Sequence, residues 1–174
     1  MYEKGTPMAY LSNTTASTRR AWLAAAMPLL AAGALPFAVK AASPTPVEVW
    51  KDPNCGCCQD WVAHMEHNGF ALTVHDTGNS AVRTRLGIPA HLGSCHTALV
   101  EGYALEGHVP AADVHKLLKQ KPKALGLAVP GMPVGSPGMD GPEYGGRKDP
   151  YEVLLLTRGA MPSGVSTSIF TSHR

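Results

Sequence analysis

Three cysteines lie within four consecutive residues of this chain, at Cys55, Cys57 and Cys58. A thiolate is both a nucleophile and a metal ligand, so the cluster suits either thiol–disulfide exchange or metal binding. The apolar residues that follow predict a helix beginning at Cys57 or Cys58. At a helix N-terminus, unpaired N–H groups and the positive end of the dipole stabilise a thiolate over a thiol.

Four chemistries use cysteines at this density, and the spacing favours one of them. With Cys95, the chain has four cysteines and two disulfides could form, but three thiols crowded into four residues argue against two bridges. A thiol–disulfide oxidoreductase needs only Cys55 and Cys58 and gives Cys57 no role. A structural zinc site would use two Cys-x-x-Cys pairs, or Cys with His at knuckle spacing, and this sequence has only one such pair. Cu(I) prefers soft thiolate ligands, and bridging thiolates with more than one copper ion follow as a hypothesis.

The composition supports a metal-binding domain and excludes several other classes. The 174 residues include 4 Cys, 7 Met and 8 His, which suit soft and borderline metals. With 44% hydrophobic and 16% charged residues, the chain can form a core, and a net charge of +2 gives no support for a nucleic-acid partner. We find no Ser-His-Asp order, phosphate loop or paired-carboxylate motif.

The elements that would hold these residues alternate in type, which predicts an α/β fold. The predicted elements in chain order are strand 47–50, a helix from Cys57 or Cys58 to Asn68-Gly69, strand 70–74, a helix from Asn79 or Ser80 to Leu86, hairpin strands 97–100 and 103–105, and a helix from Pro110 to before Pro122. With a Cys-x-x-Cys at the first strand-to-helix junction, this order resembles the thioredoxin fold over about residues 45 to 120.

The thioredoxin resemblance implies which distant residues face the cysteines. In that fold a cis-proline loop lies opposite the two cysteines, and Ser94-Cys95-His96-Thr97 occupies its position here. The resemblance therefore implies that Cys95, His96 and, at the end of the hairpin, His108 lie near the same pocket. His64 and His67 share the first helix and form either a second site or, as we favour, a solvated pair.

Residues 124–147 are dense in Gly and Pro, which predicts neither a regular helix nor a central strand. A linker is one interpretation. Met132 and Met139 lie in a near-repeat, Pro-Gly-Met, within this segment. Strand-like segments 151–156 and 165–170 follow and could pair, adding a hairpin to the sheet. An ordered extension that returns to the domain would bring both methionines with it.

The first 41 residues are predicted to be an export signal. An apolar run over 21–39 follows Arg19 and Arg20, and cleavage is expected after Ala41. The Arg pair resembles a twin-arginine signal, with ordinary Sec export and a retained membrane anchor as alternatives. Removing four basic residues (Lys4, Arg19, Arg20, Lys40) and Glu3 from 15 and 13 leaves 11 basic and 12 acidic residues.

Four segments together give a closer resemblance to one family. They are Asn54-Cys55-Gly56-Cys57-Cys58, Ser94-Cys95-His96-Thr97, Glu106-Gly107-His108-Val109-Pro110 and the Gly-Met-Pro stretch 131–139. Together they resemble the CopG-type periplasmic copper-resistance proteins. The resemblance implies a thioredoxin-like domain over 42–123 and a C-terminal extension, 124–174, that helps to bind metal. It also implies a cysteine-bridged copper cluster that interconverts Cu(I) and Cu(II) beside copper efflux.

The sequence therefore predicts one copper site and three candidate functions. The predicted ligands are Cys55, Cys57, Cys58, Cys95, His96, His108, Met132 and Met139. The functions are a periplasmic copper-binding redox protein, a copper chaperone or buffer without turnover, and a thiol–disulfide oxidoreductase. Expected partners are copper ions, with a copper efflux system or a periplasmic copper carrier, and a membrane only if the signal is uncleaved.

Overall fold

A computed structural model describes residues 43–159 and 164–174; the predicted export signal, 1–41, lies outside these residues. The described residues form ten regular elements and two 3-10 turns (Ala90–Leu92 and Pro142–Tyr144). The elements are β1 (Thr45–Lys51), α1 (Gly56–His67), β2 (Phe70–His75), α2 (Ser80–Leu86), β3 (His96–Val100), β4 (Tyr103–Glu106), α3 (Ala111–Gln120), β5 (Gly126–Ala128), β6 (Tyr151–Arg158) and β7 (Val165–His173). None of the helices in this part of the chain is long and apolar enough to cross a membrane.

The strands form one mixed seven-stranded sheet in the order β2-β1-β3-β4-β5-β6-β7. β1 pairs with β2, and β4 with β5, in parallel, whereas the other neighbouring pairs are antiparallel. The predicted α/β class and the predicted order of strand, helix, strand, helix, hairpin and helix are both confirmed.

Helix α1 forms where the apolar spacing predicts it. Its buried residues are Cys58, Trp61, Val62 and Met65, which recur at i, i+3, i+4 and i+7 and so lie on one face. This face packs in the main core with Val47 and Val49 of β1 and with Leu105 of β4. Cys55 is the residue that precedes α1, so the thiols lie at the N-terminus of a helix whose position the core fixes.

The β3-β4 hairpin brings the second part of the site to the same place. Glu101 and Gly102 connect the strands with φ angles of 44° and 84°, as a tight hairpin turn requires. In the resulting register Thr97 lies opposite Glu106, and His96 at the start of β3 lies opposite Lys51 at the end of β1. The end of β1, the start of β3 and the end of β4 therefore meet at one end of the sheet.

One prediction about the C-terminal part was wrong. Residues 126–128 form β5, a buried strand between β4 and β6, although the Gly/Pro-rich segment was predicted to exclude a central strand. The strand ends before the first proline, Pro130, so no ladder hydrogen bond is lost to proline. Gly126 is needed here because an added Cβ would overlap the carbonyl oxygen of Ala104. The predicted C-terminal hairpin is confirmed as β6 and β7, paired over 151–158 and 165–173.

Candidate metal centre

The four cysteines meet in one group, which we call the cysteine cluster (Cys55, Cys57, Cys58 and Cys95). Their sulfur atoms all lie within 4.8 Å of one another. The Sγ of Cys57 lies 3.7 Å from that of Cys55 and 4.0 Å from that of Cys95, although Cys95 is 38 residues away in sequence. Cys58 Sγ lies 3.7 Å from the carbonyl oxygen of Cys95. The fold thus brings Cys95 to the other three thiols, as expected.

The cysteine cluster contains one disulfide in this structure. Cys55 and Cys58 are bonded to each other, and Cys57 and Cys95 are free thiols. All four cysteines lie in the described residues, so the arrangement is one bridge and not the two-bridge framework that the spacing argued against. Metal binding by all four sulfurs therefore requires that the Cys55–Cys58 bond be reduced.

Cys95 also belongs to a second donor group, which we call the imidazole group (Cys95, His96 and His108). The Cys95 Sγ lies 3.0 Å from His108 Nε2 and 3.5 Å from His96 Nδ1. Both histidines are fully buried, and their rings meet edge to face with centroids 4.9 Å apart. Both histidines expected near the pocket therefore lie beside a cysteine of the cluster.

The hydrogen bond of His108 favours metal binding, and His96 differs from it in which nitrogen is satisfied. His108 Nδ1 lies 2.8 Å from the carbonyl oxygen of Pro137, an acceptor, so Nδ1 carries the proton and Nε2 presents its lone pair toward the Cys95 sulfur. His96 Nε2 is buried without a hydrogen-bond partner in residues 43–159 and 164–174. The nitrogen of His96 that faces the Cys95 sulfur is Nδ1, so a metal bound on that side would leave the ring proton on this unpartnered Nε2.

Burial keeps Cys95, His96 and His108 uncharged at neutral pH in the metal-free protein. Burial, with a smaller contribution from neighbouring Cys57, raises the pKa of the Cys95 thiol to about 12. Burial also lowers the pKa values of His96 and His108. Both imidazoles are therefore neutral, which is the form that binds metals, and Cys95 must lose a proton to act as a ligand.

A buried ionic network, which the sequence did not reveal, holds the segment that carries Cys95. Glu106 is fully buried at the end of β4, and its Oε1 accepts hydrogen bonds from Arg83 Nε at 2.7 Å and from the backbone N–H of Ser94 at 2.6 Å. Its Oε2 accepts one from the Thr97 hydroxyl at 2.6 Å. These donors lie on both sides of Cys95 in sequence, so the carboxylate fixes the backbone on which Cys95 lies.

Asn79 completes this network instead of capping a helix with its side chain. It precedes α2, as predicted, but its side-chain oxygen accepts no capping hydrogen bond from the helix backbone. The amide donates to the Ser94 carbonyl oxygen at 3.2 Å and to the Thr97 hydroxyl at 3.1 Å. The one sequence signal for the network was a charged residue, Glu106, at the end of an apolar strand.

The Gly/Pro-rich segment packs directly on the site, although a plain linker was one interpretation. Besides the contact of Pro137 with His108, the Ser94 hydroxyl donates to the carbonyl oxygen of Gly131. Gly138 has a φ of +84°, and an added Cβ there would collide with the Cys57 carbonyl oxygen and lie 2.8 Å from the Trp61 nitrogen. The extension thus contacts both α1 and the Cys95 segment.

The two methionines of this segment differ in environment. Met139 is 9% exposed, and its sulfur accepts a hydrogen bond from the Tyr144 hydroxyl at 3.3 Å. Met132 is 53% exposed. Met139 follows Gly138, the residue that packs against α1, whereas Met132 lies largely in solvent.

His64 and His67 have different surroundings, and the expectation that both are solvated was wrong for His64. His64 is half-buried, and its Nε2 accepts a hydrogen bond from the backbone N–H of Ala111 at 3.1 Å, at the start of α3. His67 is exposed and contacts the carbonyl oxygen of Ala63 in its own helix. His64 therefore acts as a cap for α3.

Comparison with known proteins finds one matching family and two matching solved structures. Residues 92–139 match a family described as a protein of unknown function, DUF411. No curated protein matches the chain. Two solved structures of copper resistance protein CopG do match. Form 2 is 48% identical over 75% of this chain and 99% of that chain, with a TM-score of 0.67. Form 1 is 49% identical over 75% and 98%, with a TM-score of 0.66.

Proposed function

Because this chain belongs to the family of copper resistance protein CopG, we propose that it binds copper and interconverts Cu(I) and Cu(II) at a cysteine-bridged cluster. The observation that carries the proposal is the meeting of four sulfur atoms within 4.8 Å, with Cys95 shared by the imidazole group. Thiolates select Cu(I), whereas imidazole also suits Cu(II), so the mixed donor set permits both oxidation states.

In this proposal each donor has a distinct role. The thiolates of the cysteine cluster would hold more than one copper ion, because adjacent Cys57 and Cys58 can hardly both bind one ion in ideal geometry with Cys55. His96 and His108 provide neutral imidazole nitrogens at the buried side of Cys95. Met139, which is buried in the segment that packs on α1, would supply one thioether, and the more exposed Met132 would supply another.

The finer fold assignment is also proposed. The sheet order β2-β1-β3-β4, with β2 parallel to β1, β3 antiparallel to β1 and β4 antiparallel to β3, supports a thioredoxin-like domain over 42–123. A C-terminal extension, 124–174, would then add β5, β6 and β7 and the loop that contacts the site.

We further propose that the chain works in the periplasm. The support is the pattern of residues 1–41, with a basic pair, an apolar run and small residues before the expected cleavage site. A copper efflux system or a periplasmic copper carrier would exchange copper with it. Fractionation of cells and N-terminal sequencing of the recovered protein test this; protein retained in the cytoplasm with residues 1–41 intact would contradict it.

Titration of the reduced full chain with Cu(I), without oxygen and against a chelator of known affinity, tests copper binding. We expect tight binding of more than one Cu(I) per chain, and fewer in Cys57→Ser, because Cys57 lies between Cys55 and Cys95. Gln59→Ala is the matched control, because Gln59 lies on the same helix and is exposed. Equal stoichiometry in Cys57→Ser and the parent chain would contradict a cluster bridged at this cysteine.

One observation favours a second candidate, thiol–disulfide oxidoreductase activity. The bonded Cys55–Cys58 pair before α1 is the arrangement that such an activity would use. This function predicts that Cys57→Ser still reduces insulin and that copper inhibits the reaction.

A copper chaperone or buffer, in contrast, would hold copper in one oxidation state through treatment with mild oxidant and reductant.

A further inference from the structure

We infer that the Cys55–Cys58 pair is the electron donor when this chain reduces Cu(II), and that this step would join the pair in the disulfide that the structure contains. The inference rests on the proposed function, because it assumes that copper reaches this site. To the proposed function the inference adds the source of the electrons, the identity of the two sulfurs that are oxidised and the residues that bind the Cu(I) formed.

The structure divides the cysteine cluster into a bonded pair and two thiols that stay free. Cys55 and Cys58 are joined, while Cys57 lies between them in sequence and remains a thiol 3.7 Å from the Cys55 sulfur. Cys57 lies 4.0 Å from Cys95, and these two thiols are not bonded. Oxidation therefore affects one defined pair and leaves the other two sulfurs as thiols.

The oxidised chain retains a smaller donor set. Cys57 contacts Cys95, and Cys95 contacts both His108 Nε2 at 3.0 Å and His96 Nδ1 at 3.5 Å. Thiolate and neutral imidazole are both ligands for Cu(I). The donors that remain after disulfide formation are therefore suited to keep the reduced metal.

The step balances without another reductant. Two Cu(II) ions each accept one electron and become Cu(I). The Cys55 and Cys58 thiolates each lose one electron and form the S–S bond, and the two thiol protons pass to solvent. The disulfide then needs an external dithiol before the step can repeat.

Burial selects the sulfur that such a dithiol would attack. Cys58 is fully buried in the α1 face, whereas Cys55 is partly exposed. Exchange requires access of the attacking thiolate to one sulfur, so the incoming thiolate bonds to Cys55 and releases Cys58. The pair thus has one accessible and one buried sulfur.

The test uses the full chain, fully reduced, free of metal and kept without oxygen. Copper(II) sulfate is added up to two equivalents with no other reductant. Cu(I) is measured with a colorimetric chelator and remaining Cu(II) by electron paramagnetic resonance. At the same times, acid quenching, removal of copper and alkylation, followed by peptide mass spectrometry, identify which cysteines are bonded. We expect two Cu(I) per disulfide, with Cys55 and Cys58 bonded and Cys57 and Cys95 alkylated.

Two variants locate the electron source. Cys55→Ser removes the accessible member of the pair, and we expect Cu(I) formation to fall about tenfold. Cu(I) supplied directly should still bind through the three remaining cysteines, in smaller amount because Cys55 is itself a proposed ligand. Gln59→Ala, an exposed substitution on the same helix, should behave as the parent chain. Disulfide mapping of the parent chain keeps the inference testable even if Cys55→Ser folds poorly.

The outcomes separate this inference from the proposed function. A Cys57–Cys95 bond, a bond between two chains, or Cu(II) that stays oxidised beside four intact thiols would overturn the inference. If Cu(II) in the last case is then reduced by an added electron donor with all four thiols intact, the proposed function stands without it. Failure of the reduced chain to bind Cu(I) would overturn both.

Discussion

At the scale of single residues, Cys95 links the two donor groups. Its sulfur lies 4.0 Å from that of Cys57 and 3.0 Å from His108 Nε2, so it contacts both the helix that carries the other thiols and a buried imidazole. Burial raises its pKa to about 12, so the metal-free side chain is a neutral thiol over the physiological pH range. A metal ion that binds this sulfur must displace its proton.

This protonation state predicts a pH dependence. Because the thiol is protonated at every pH well below 12, each Cu(I) bound through Cys95 releases a proton, and affinity rises with pH. Competition with a chelator of known affinity between about pH 6 and 8 measures the slope. We expect the slope in Cys95→Ser to be smaller by about one proton per chain. An unchanged slope in Cys95→Ser would show that this sulfur is not deprotonated on binding.

At the scale of elements, strands β3 and β4 and helix α2 are held together beneath the site by the carboxylate of Glu106. The carboxylate accepts hydrogen bonds from Arg83 of α2, from the Ser94 backbone and from Thr97 of β3. A buried charge is tolerated only when it is paired and hydrogen-bonded. The site is therefore supported by an ionic network and not only by apolar packing.

The network around Glu106 predicts that substitutions at Glu106 and Arg83 lower the free energy of unfolding and that their effects are coupled. Glu106→Gln leaves Arg83, whose side chain is 17% exposed, without its carboxylate, and should lower the free energy of unfolding by about 3 kcal/mol. Denaturant unfolding of the single variants and of the Glu106→Gln, Arg83→Gln double variant measures the coupling. We expect the double variant to lose less than the sum of the two single losses, whereas additive losses would contradict a direct interaction.

The Gly/Pro-rich segment, 124–147, offers a matched pair of glycine variants, Gly138→Ala and Gly145→Ala. An added Cβ at Gly138 collides with the Cys57 carbonyl oxygen, whereas one at Gly145 meets no atom within 4 Å. Both glycines have positive φ, at +84° and +59°, so alanine costs backbone strain at either position. Only Gly138→Ala should also move the loop from α1, and it should speed the transfer of bound Cu(I) to a chelator. Equal transfer rates in the two variants would mean that the loop does not cover the bound metal.

At the scale of the whole molecule, local sequence patterns predicted most helices and strands. Contacts between distant residues determine the features that the sequence did not predict. The boundaries of α1 followed from the spacing of Cys58 to Met65 and the stop at Asn68-Gly69, which are local signals. Strand β5 was missed because its position depends on the close approach of Gly126 to Ala104, 22 residues away. Local periodicity contains no information about such a contact.

The residues of the candidate site also divide into those that were expected from the sequence and those that only the fold identifies. Cys95, His96 and His108 were expected near the cysteines because the resemblance in fold supplied their positions. The interaction of Glu106 with Arg83 and the capping of α3 by His64 were not predicted, since each joins residues that are 23 or 47 positions apart. Residue types alone indicated the chemistry, and the fold was needed to identify the supporting residues.

The metal content and spectrum of the full chain recovered from the periplasm test the central claim most directly. We predict copper, with more than one ion per chain, and sulfur as the main neighbour of copper in X-ray absorption. The copper should be lost or reduced in number in Cys57→Ser and unchanged in Gln59→Ala. One zinc ion per chain, or copper surrounded by nitrogen and oxygen alone, would contradict the assignment of this cluster as a copper site.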